Sequence, residues 1–185
     1  SITQRLPVIR IKSERGDDYY LDDKGGIMPN TSYTSDLIIA TGNIRQSFAR
    51  NYIAPMANII MANDLWKNMI EQINVLSDGG IEIVPRIGDH VVFLGYMPQT
   101  RYASKRKEKI AAFVDTKLTR LEKFYKYGLS QVGWNKYPYI SLEFDNQIIC
   151  KKDRNAKGNQ ETAPQTPQQE QKPGANTPAA QQSGD

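Results

Sequence analysis

The sequence has few residues of the kinds that form reactive or cross-linked sites. Its 185 residues include one cysteine, Cys150, and one histidine, His90. A single cysteine excludes an internal disulfide and a multi-cysteine zinc site. His90 has no carboxylate or thiol at ligand spacing, so the pattern favours a surface or strand-end residue over a catalytic or metal-binding one. We therefore predict no metal site and no cofactor.

Motifs for spanning membranes and for binding phosphate or calcium are also missing. No stretch of about 18 apolar residues is present that could cross a bilayer. The pairs Gly25-Gly26 and Gly79-Gly80 lack a following lysine and a strand-to-helix context, so they indicate turns. An acidic cluster lacks the alternating ligands of a calcium loop, and we interpret it as solvated hairpin ends: Asp17, Asp18, Asp22 and Asp23. With no catalytic constellation left, we predict that the protein is not an enzyme.

Aromatic and branched aliphatic residues are absent after Cys150, whereas all ten tyrosines and both tryptophans precede it. A segment of this composition cannot bury enough apolar surface to offset the cost of ordering its backbone, roughly 1–2 kcal/mol per residue. We therefore predict that residues 153–185 form a disordered, Gln/Pro-rich tail. The residues before it suffice for one domain with an ordinary core.

Much of the sequence before Cys150 alternates between apolar and polar residues, as β-strands do. Short apolar runs separated by turn residues predict strands near residues 6–12, 17–22, 35–41, 70–76, 81–84, 91–94, 139–144 and 148–150. Apolar residues at helical spacing predict a helix over 47–62, with Pro55 in a first turn. A longer amphipathic helix is predicted over 104–127, with Gly128 as a left-handed C-cap. Strands outnumber helices and hairpins connect them, so we predict an α+β fold, mainly an antiparallel sheet with helices packed on one face.

Basic residues cluster at the start of the longer predicted helix, at 105–109. The helix macrodipole disfavours cations there, so the cluster could meet anionic lipid headgroups or an acidic partner. A solvated loop end is the alternative and the more common case. Nucleic acid is not favoured, because no aromatic residues interleave with these charges. The net charge of +4 is modest and fits an ordinary solvated surface.

The order of several weak motifs gives more information than any one of them. A strand with a proline, Gln4–Lys12, precedes an aromatic hairpin ending in glycine, Tyr19–Gly25. Further motifs follow at Gly80–Gly88, Phe124–Gly128, Gly133–Tyr137 and Ile140–Cys150. Over residues 4–152 this order resembles the β domain of the bacterial cell-division protein FtsQ, also called DivIB, in its Bacteroidetes form. The resemblance implies three parts: the end of a POTRA domain or linker strand (1–12), the β domain (13–152) and the tail (153–185).

The resemblance also implies a function. Such proteins are single-pass inner-membrane scaffolds of the divisome, without catalytic activity, whose periplasmic domain recruits FtsB and FtsL for septum formation. The membrane anchor and most of the POTRA domain would lie upstream of this soluble chain. In the family the partner adds a strand to the last strand of the β domain. By motif position the partner-binding residues here would be Phe144, Asp145, Asn146, Gln147, Ile148, Ile149, Cys150, Lys151 and Lys152.

An exposed strand edge suits such a role, because its unpaired N–H and C=O groups can be satisfied by a partner strand. Two departures from the family pattern affect the expected site. Tyr96 follows Leu94-Gly95 where an arginine is common, so charge contacts would fall to Arg101, Lys105, Arg106 and Lys109. Lys151-Lys152 also makes the partner's side-chain pockets non-transferable. The alternative function is a periplasmic module that binds cell-wall polymer or anionic lipid through that basic patch.

Overall fold

A computed structural model describes residues 5–29, 37–128 and 137–155, together with the backbone of Glu161–Thr162. It contains one sheet of ten strands. In chain order they are β1 (Pro7–Ser13), β2 (Asp18–Asp22), β3 (Ile27–Met28), β4 (Ile38–Gly42), β5 (Ile70–Val75), β6 (Gly80–Pro85), β7 (Val91–Tyr96), β8 (Tyr139–Ser141), β9 (Ile149–Lys151) and β10 (Glu161–Thr162).

Across the sheet the strands run β10-β9-β8-β7-β6-β5-β4-β1-β2-β3. Hairpin neighbours pair antiparallel, including the predicted meander β5-β6-β7. The pairs β1-β4, β4-β5 and β7-β8 are parallel. Helices connect β4 to β5 and also β7 to β8, because parallel neighbours need a long crossover connection. The predicted α+β fold with a mostly antiparallel sheet is confirmed, and the parallel pairs are additions to it.

The helices cover one face of this sheet. They are α1 (Gln46–Phe48), α2 (Ala54–Met61), α3 (Asp64–Met69) and α4 (Ala103–Lys123). A π-helical turn, Ala49–Ile53, joins α1 to α2, so Pro55 lies in the first turn of α2, where its missing N–H is tolerated. Asn63 caps α3 by accepting hydrogen bonds from two backbone N–H groups. The helix α2 packs on both α4 and β1.

Alternation within the strands places the core between sheet and helices. In β1, Ile9 and Ile11 are fully buried, while Arg10 and Lys12 lie on the other face. Pro7 is the first residue of β1, as the sequence predicts for a proline at a strand start. Because β1 pairs with β2 and β4, it is a strand of this sheet. The assignment of residues 1–12 to a preceding domain stays a prediction.

The end of the long helix differs from the prediction. The α-helix stops at Lys123 and continues as a π-helical turn, Phe124–Gly128. Gly128 is not in the left-handed region, so the predicted C-cap is wrong. A Cβ atom at Gly128 would lie 2.6 Å from the ring of Phe124. Glycine is therefore needed there because an aromatic ring approaches closely, not because of its backbone angle.

Two polar residues predicted to be solvated are buried instead. Asp22 accepts hydrogen bonds from the Arg5 guanidinium and from the backbone N–H groups of Lys24 and Gly26. These bonds outweigh the effect of burial and lower the carboxyl pKa. His90 does lie at a strand end but is buried, and its Nε2 is 2.6 Å from the Tyr125 hydroxyl. Burial lowers the pKa of His90, which favours the neutral ring.

A buried carboxylate on the face away from the helices connects distant parts of the sheet. The side chain of Glu82, on β6, is only 1% exposed. Arg154, just after β9, donates two hydrogen bonds of 2.7 Å to its two oxygens. The Tyr139 hydroxyl on β8 donates a third, and Asn74 on β5 a fourth. We call these four residues the Glu82 cluster. It ties the segment after β9 to the middle of the sheet.

Because of the Glu82 cluster, we expect the substitution Arg154→Ala to lower the free energy of unfolding substantially. Removing one partner of a buried ion pair costs about 3–5 kcal/mol, and solvent around half-exposed Arg154 reduces this to about 2 kcal/mol. Urea denaturation would measure it. The matched control is Arg10→Ala, which breaks an equally bidentate but exposed pair with Asp18 and should cost much less. Equal losses in the two variants would contradict the assigned role of Glu82.

The same cluster predicts an acid-sensitive contribution to stability. Burial raises the pKa of Glu82, but the bonds from Arg154, Tyr139 and Asn74 lower it further, so the net pKa is below its ordinary 4.5. A carboxyl with a lowered pKa stabilises the fold above 4.5 and loses that contribution as the pH falls through the folded-state value.

We expect Glu82→Gln to be less stable than wild type at about pH 7, and the difference in unfolding free energy to shrink at about pH 3. Urea denaturation series at both pH values would measure it. A difference that does not change with pH would show that the carboxylate charge contributes nothing.

Candidate functional site

The residues predicted from the motif order lie in the β8-β9 hairpin at one end of the sheet. The predicted strand 139–144 is shorter in the structure, since β8 ends at Ser141 and Asp145-Asn146 form a turn. Phe144 is 47% exposed at this turn, while Ile148 and Cys150 face the core. The remaining predicted residues are half-buried or exposed: Gln147, Ile149, Lys151 and Lys152. The structure thus brings the whole set together on one hairpin.

Backbone bonds to β7 fix which groups of β9 point outward. Val91 N–H donates to Pro138 O, and Leu142 N–H donates to Phe93 O, so the intervening odd-numbered residues of β8 face β9. Tyr139 and Ser141 are opposite Lys151 and Ile149. Since antiparallel residues alternate in direction, Ile149 and Lys151 bond to β8. The N–H and C=O of Cys150 therefore point away from β8, toward the outer side of β9.

The outer side of β9 is not an open edge, contrary to the prediction. β10 pairs with it antiparallel, with Glu161 opposite Cys150 and Thr162 opposite Ile149. β10 belongs to the segment whose composition predicts disorder. Of the rest of the predicted tail, residues 153–155 are described and include Arg154 of the Glu82 cluster, whereas residues 156–160 and 163–185 lie outside the described residues. Polar Glu161 and Thr162 can pair here because strand pairing uses backbone groups, which every residue except proline carries in full.

Two cations of α4 hold the β8-β9 connection from the helix side. Lys117 Nζ donates to Leu142 O at 2.6 Å and to Glu143 O at 2.9 Å. Arg120 donates to Leu142 O and Gln147 O, each at 3.1 Å. The connection has left the sheet here, so its carbonyls need these donors when buried. The hairpin position is therefore set by α4.

Lys117 is a residue of the candidate site that the sequence pattern does not single out. It lies within the apolar stripe of the predicted helix, where a lysine is out of place, and this was the available signal. The side chain is buried, and desolvation lowers its pKa despite the nearby carboxylate of Asp145 at 3.8 Å. The Lys117 ammonium has three N–H donors, and two of them bond backbone carbonyls, so the charge is tolerated at this otherwise apolar position.

A groove of about 690 Å³ lies beside the hairpin turn. Its walls are the end of β7, the middle of α4 and the segment 143–145. Phe113 and the exposed Phe144 contribute apolar surface, Tyr96 closes one side, and Lys109 supplies a charge. The residue that departs from the family pattern, Tyr96, thus borders the predicted site, and its hydroxyl donates to Asp78.

The four predicted charge contacts do not form one patch. Lys109 lines this groove, whereas Arg106 lines a different cavity on the other side of α4. Lys105 lies over the Tyr102 ring, and Arg101 is exposed just before the helix. Helical geometry explains the separation, because neighbouring residues on a helix point in different directions.

The hairpin contains one cysteine, Cys150, which is buried. Burial raises the pKa of Cys150 to about 11, so its thiol is protonated and unreactive at neutral pH. The described residues contain no cluster of His, Cys, Asp and Glu that could hold a metal ion. Within the same ranges, every helix is too short or too polar to cross a bilayer.

Comparison with known proteins identifies the domain. A search of curated proteins found no match to the chain. The family model described as FtsQ/DivIB, C-terminal related, matches residues 6–151, which include β1 to β9, all four helices and the candidate hairpin. The matched region covers most of the chain, and its end coincides with the end of β9. The chain therefore belongs to the FtsQ/DivIB C-terminal-related family of cell-division proteins.

Proposed function

We propose that this domain is a non-catalytic divisome scaffold that binds an FtsB/FtsL-like partner by strand addition at the outer side of β9. The observation that carries the proposal is the outward-facing backbone of Cys150 on a strand held rigidly from both faces. Lys117 and Arg120 fix the hairpin from the helix side, and Arg154 fixes the chain after β9 from the other. A strand held in this way presents its backbone groups without a further entropic cost.

The partner strand would have to replace β10. β10 offers two residues opposite β9, and only one of them, Glu161, is opposite the outward-facing Cys150. Each backbone hydrogen bond is worth about 0.5–1.5 kcal/mol net. A partner strand that also bonds the outward groups of Lys152 would therefore displace β10 at a modest cost. The tail of the chain acts as a weak competitor that keeps the edge covered between binding events.

The groove beside Phe144 gives the partner a second contact. It adjoins the hairpin turn and combines aromatic surface with Lys109, so an amphipathic segment preceding the added strand could pack there. Strand pairing alone carries little sequence specificity, because it uses backbone groups. The side chains of the groove would supply the specificity that β9 cannot.

In the cell the domain would lie on the periplasmic side of the inner membrane, attached to a single-pass anchor upstream. This placement follows the usual organisation of the family. The alternative function through the basic residues is supported by a cavity that Arg106 and Lys107 line.

Lys152→Pro tests the added strand. If the alternation of β9 continues by one residue, the N–H of residue 152 faces outward like that of Cys150; proline removes it and obstructs an incoming strand, while the bonds of Ile149 and Lys151 to β8 are untouched. We expect the affinity for the periplasmic segment of the FtsB-like protein to fall about ten-fold or more. Isothermal titration calorimetry would measure it. Lys152→Ala, which loses the same charge but keeps the N–H, should bind nearly as wild type.

Amide hydrogen exchange gives an independent measurement if the proline variant is unstable. On adding the partner segment, the outward Lys152 amide should gain protection, whereas Ile149 and Lys151 amides, already bonded to β8, should change little. Binding without new protection at Lys152 would show that the partner docks elsewhere.

Truncation after Asn155 tests the competition by β10. Removing residues 156–185 should strengthen partner binding about three- to ten-fold, because the two-residue pairing no longer has to be broken. Adding the removed segment as a free peptide should have little effect at equal concentration, since tethering supplies its effective concentration. Unchanged affinity after truncation would remove the competitor role but leave the strand-addition mode standing.

A further inference from the structure

A second cavity lies at the opposite end of the sheet from β9. It has a volume of about 570 Å³ and is formed by three elements: the β2-β3 turn, the helical segment from Arg50 to Ile59, and the start of α4. The strands β2 and β3 end the sheet order on the side away from β10. The hairpin residues take no part in its lining. The cavity is therefore separate from the proposed partner site.

The charges around this cavity are strongly unbalanced. Four cationic side chains line it, Lys24, Arg50, Arg106 and Lys107, against the single carboxylate of Asp23. No ion pair joins any of these cations to a carboxylate in the described part of the chain. Cations brought together without counter-charges repel one another, so an anion entering the cavity would relieve that repulsion.

The guanidinium of Arg106 is positioned for a ligand it does not have. Its Cζ lies 5.4 Å from the centre of the Tyr52 ring, so the group stacks on an aromatic face. Its Nε is buried and, among the described residues, has no hydrogen-bond acceptor. A buried donor without an acceptor is costly, about 1–3 kcal/mol. A buried donor without an acceptor calls for an explanation, and a bound ion or water that supplies the acceptor is one of those found in proteins.

Arg50 is held on the facing wall. Its Nε donates to Gly25 O at 2.9 Å, which anchors the side chain to the β2-β3 turn and leaves its terminal nitrogens for other acceptors. The start of α4 contributes as well, because Ala103 lines the cavity and no side chain caps this helix. The first turn also contains no acidic residue, so its positive dipole end is not compensated.

From this geometry we propose that the cavity binds a phosphate group, with Arg106, Lys107 and Arg50 as its principal contacts. A phosphate monoester carries about two charges and three acceptor oxygens, which match two guanidinium forks and an ammonium better than a single carboxylate does. The volume leaves space for a small group attached to the phosphate. The phosphate could belong to a lipid headgroup or to a soluble phosphate ester, and both present the same chemistry.

The binding test compares two pairs of variants of equal charge in the whole chain. Arg106→Gln with Lys107→Gln removes two contacts of the cavity, while Lys105→Gln with Lys123→Gln removes two cations of the same helix that line neither the cavity nor the groove beside Phe144. The probe is glycerol 3-phosphate, titrated by calorimetry at fixed salt. We expect the cavity pair to lose about ten-fold or more in affinity and the control pair about two-fold or less.

The Arg106 Nε–H resonance gives a direct second measurement. It should shift on titration of wild type with glycerol 3-phosphate and should not shift with the same concentration of chloride. Equal losses in the two variant pairs would reduce the effect to general electrostatics and overturn the proposal. Absence of any binding by wild type, or a titration that leaves the Nε–H resonance unmoved, would overturn it too.

Vesicles distinguish the two sources of phosphate. If the ligand is a lipid headgroup, wild type should bind phosphatidic acid vesicles but not phosphatidylcholine vesicles, and glycerol 3-phosphate should release it. If the ligand is a soluble ester, glycerol 3-phosphate should bind while neither kind of vesicle does. Vesicle binding that the cavity pair and the control pair weaken equally would contradict a specific site.

Discussion

The buried carboxylate of Glu82 is the constraint on which the arrangement of the β8-β9 end of the sheet depends. A charge with 1% exposure is tolerable only when it is paired and fully hydrogen-bonded. Its partners come from β5, β8 and the segment after β9, so satisfying one carboxylate fixes several elements at once. The register of the short strands β8 and β9 would otherwise rest on few backbone bonds. The cluster therefore specifies an arrangement more than it adds stability.

Lys117 provides the corresponding constraint on the other face. The β8-β9 connection leaves the sheet at Leu142 and returns at Ile149, and its carbonyls need donors along the way. Lys117 and Arg120 reach from α4 to supply them. Hydrogen bonds from α4 therefore reach the hairpin on one face, while Arg154 bonds Glu82 on the other. An edge strand that binds partners benefits from this, because its backbone groups are already in register for pairing.

Most of the fold could be predicted from local sequence patterns, whereas the long-range polar contacts could not. The meander β5-β6-β7 and the helix α4 follow from alternation, turn glycines and an apolar stripe, which all act over a few residues. The pairing of Glu82 with Arg154 joins residues 72 positions apart, and no local pattern indicates it. Burial of His90 and Asp22 was missed for the same reason, since polar residues are placed inside only when distant partners satisfy them.

The candidate site stays a prediction, although the structure places its residues on one hairpin. The motif order located the hairpin 144–152, because short motifs in a shared order identify a family even when each is weak. The sequence could not show whether the backbone N–H and C=O of Cys150 or those of Ile149 point away from β8, because a one-residue change of register exchanges the two. Nor could pairing by β10, because composition predicts whether a segment builds a core and not whether it adds a strand to an existing one. The cavity at Arg106 was visible only as an unexplained basic run.

The helix α4 joins the two proposed sites and keeps them apart. Its first turns line the cavity proposed to bind phosphate with Arg106, and its middle holds the β8-β9 hairpin with Lys117. At about 1.5 Å per residue these side chains are roughly 16 Å apart along the axis. Sites this far apart without shared contacts respond nearly additively to substitution. A loss of partner binding on substitution of Arg106 would therefore mean that α4 itself had moved, since the cavity and the groove beside the hairpin share no lining residue.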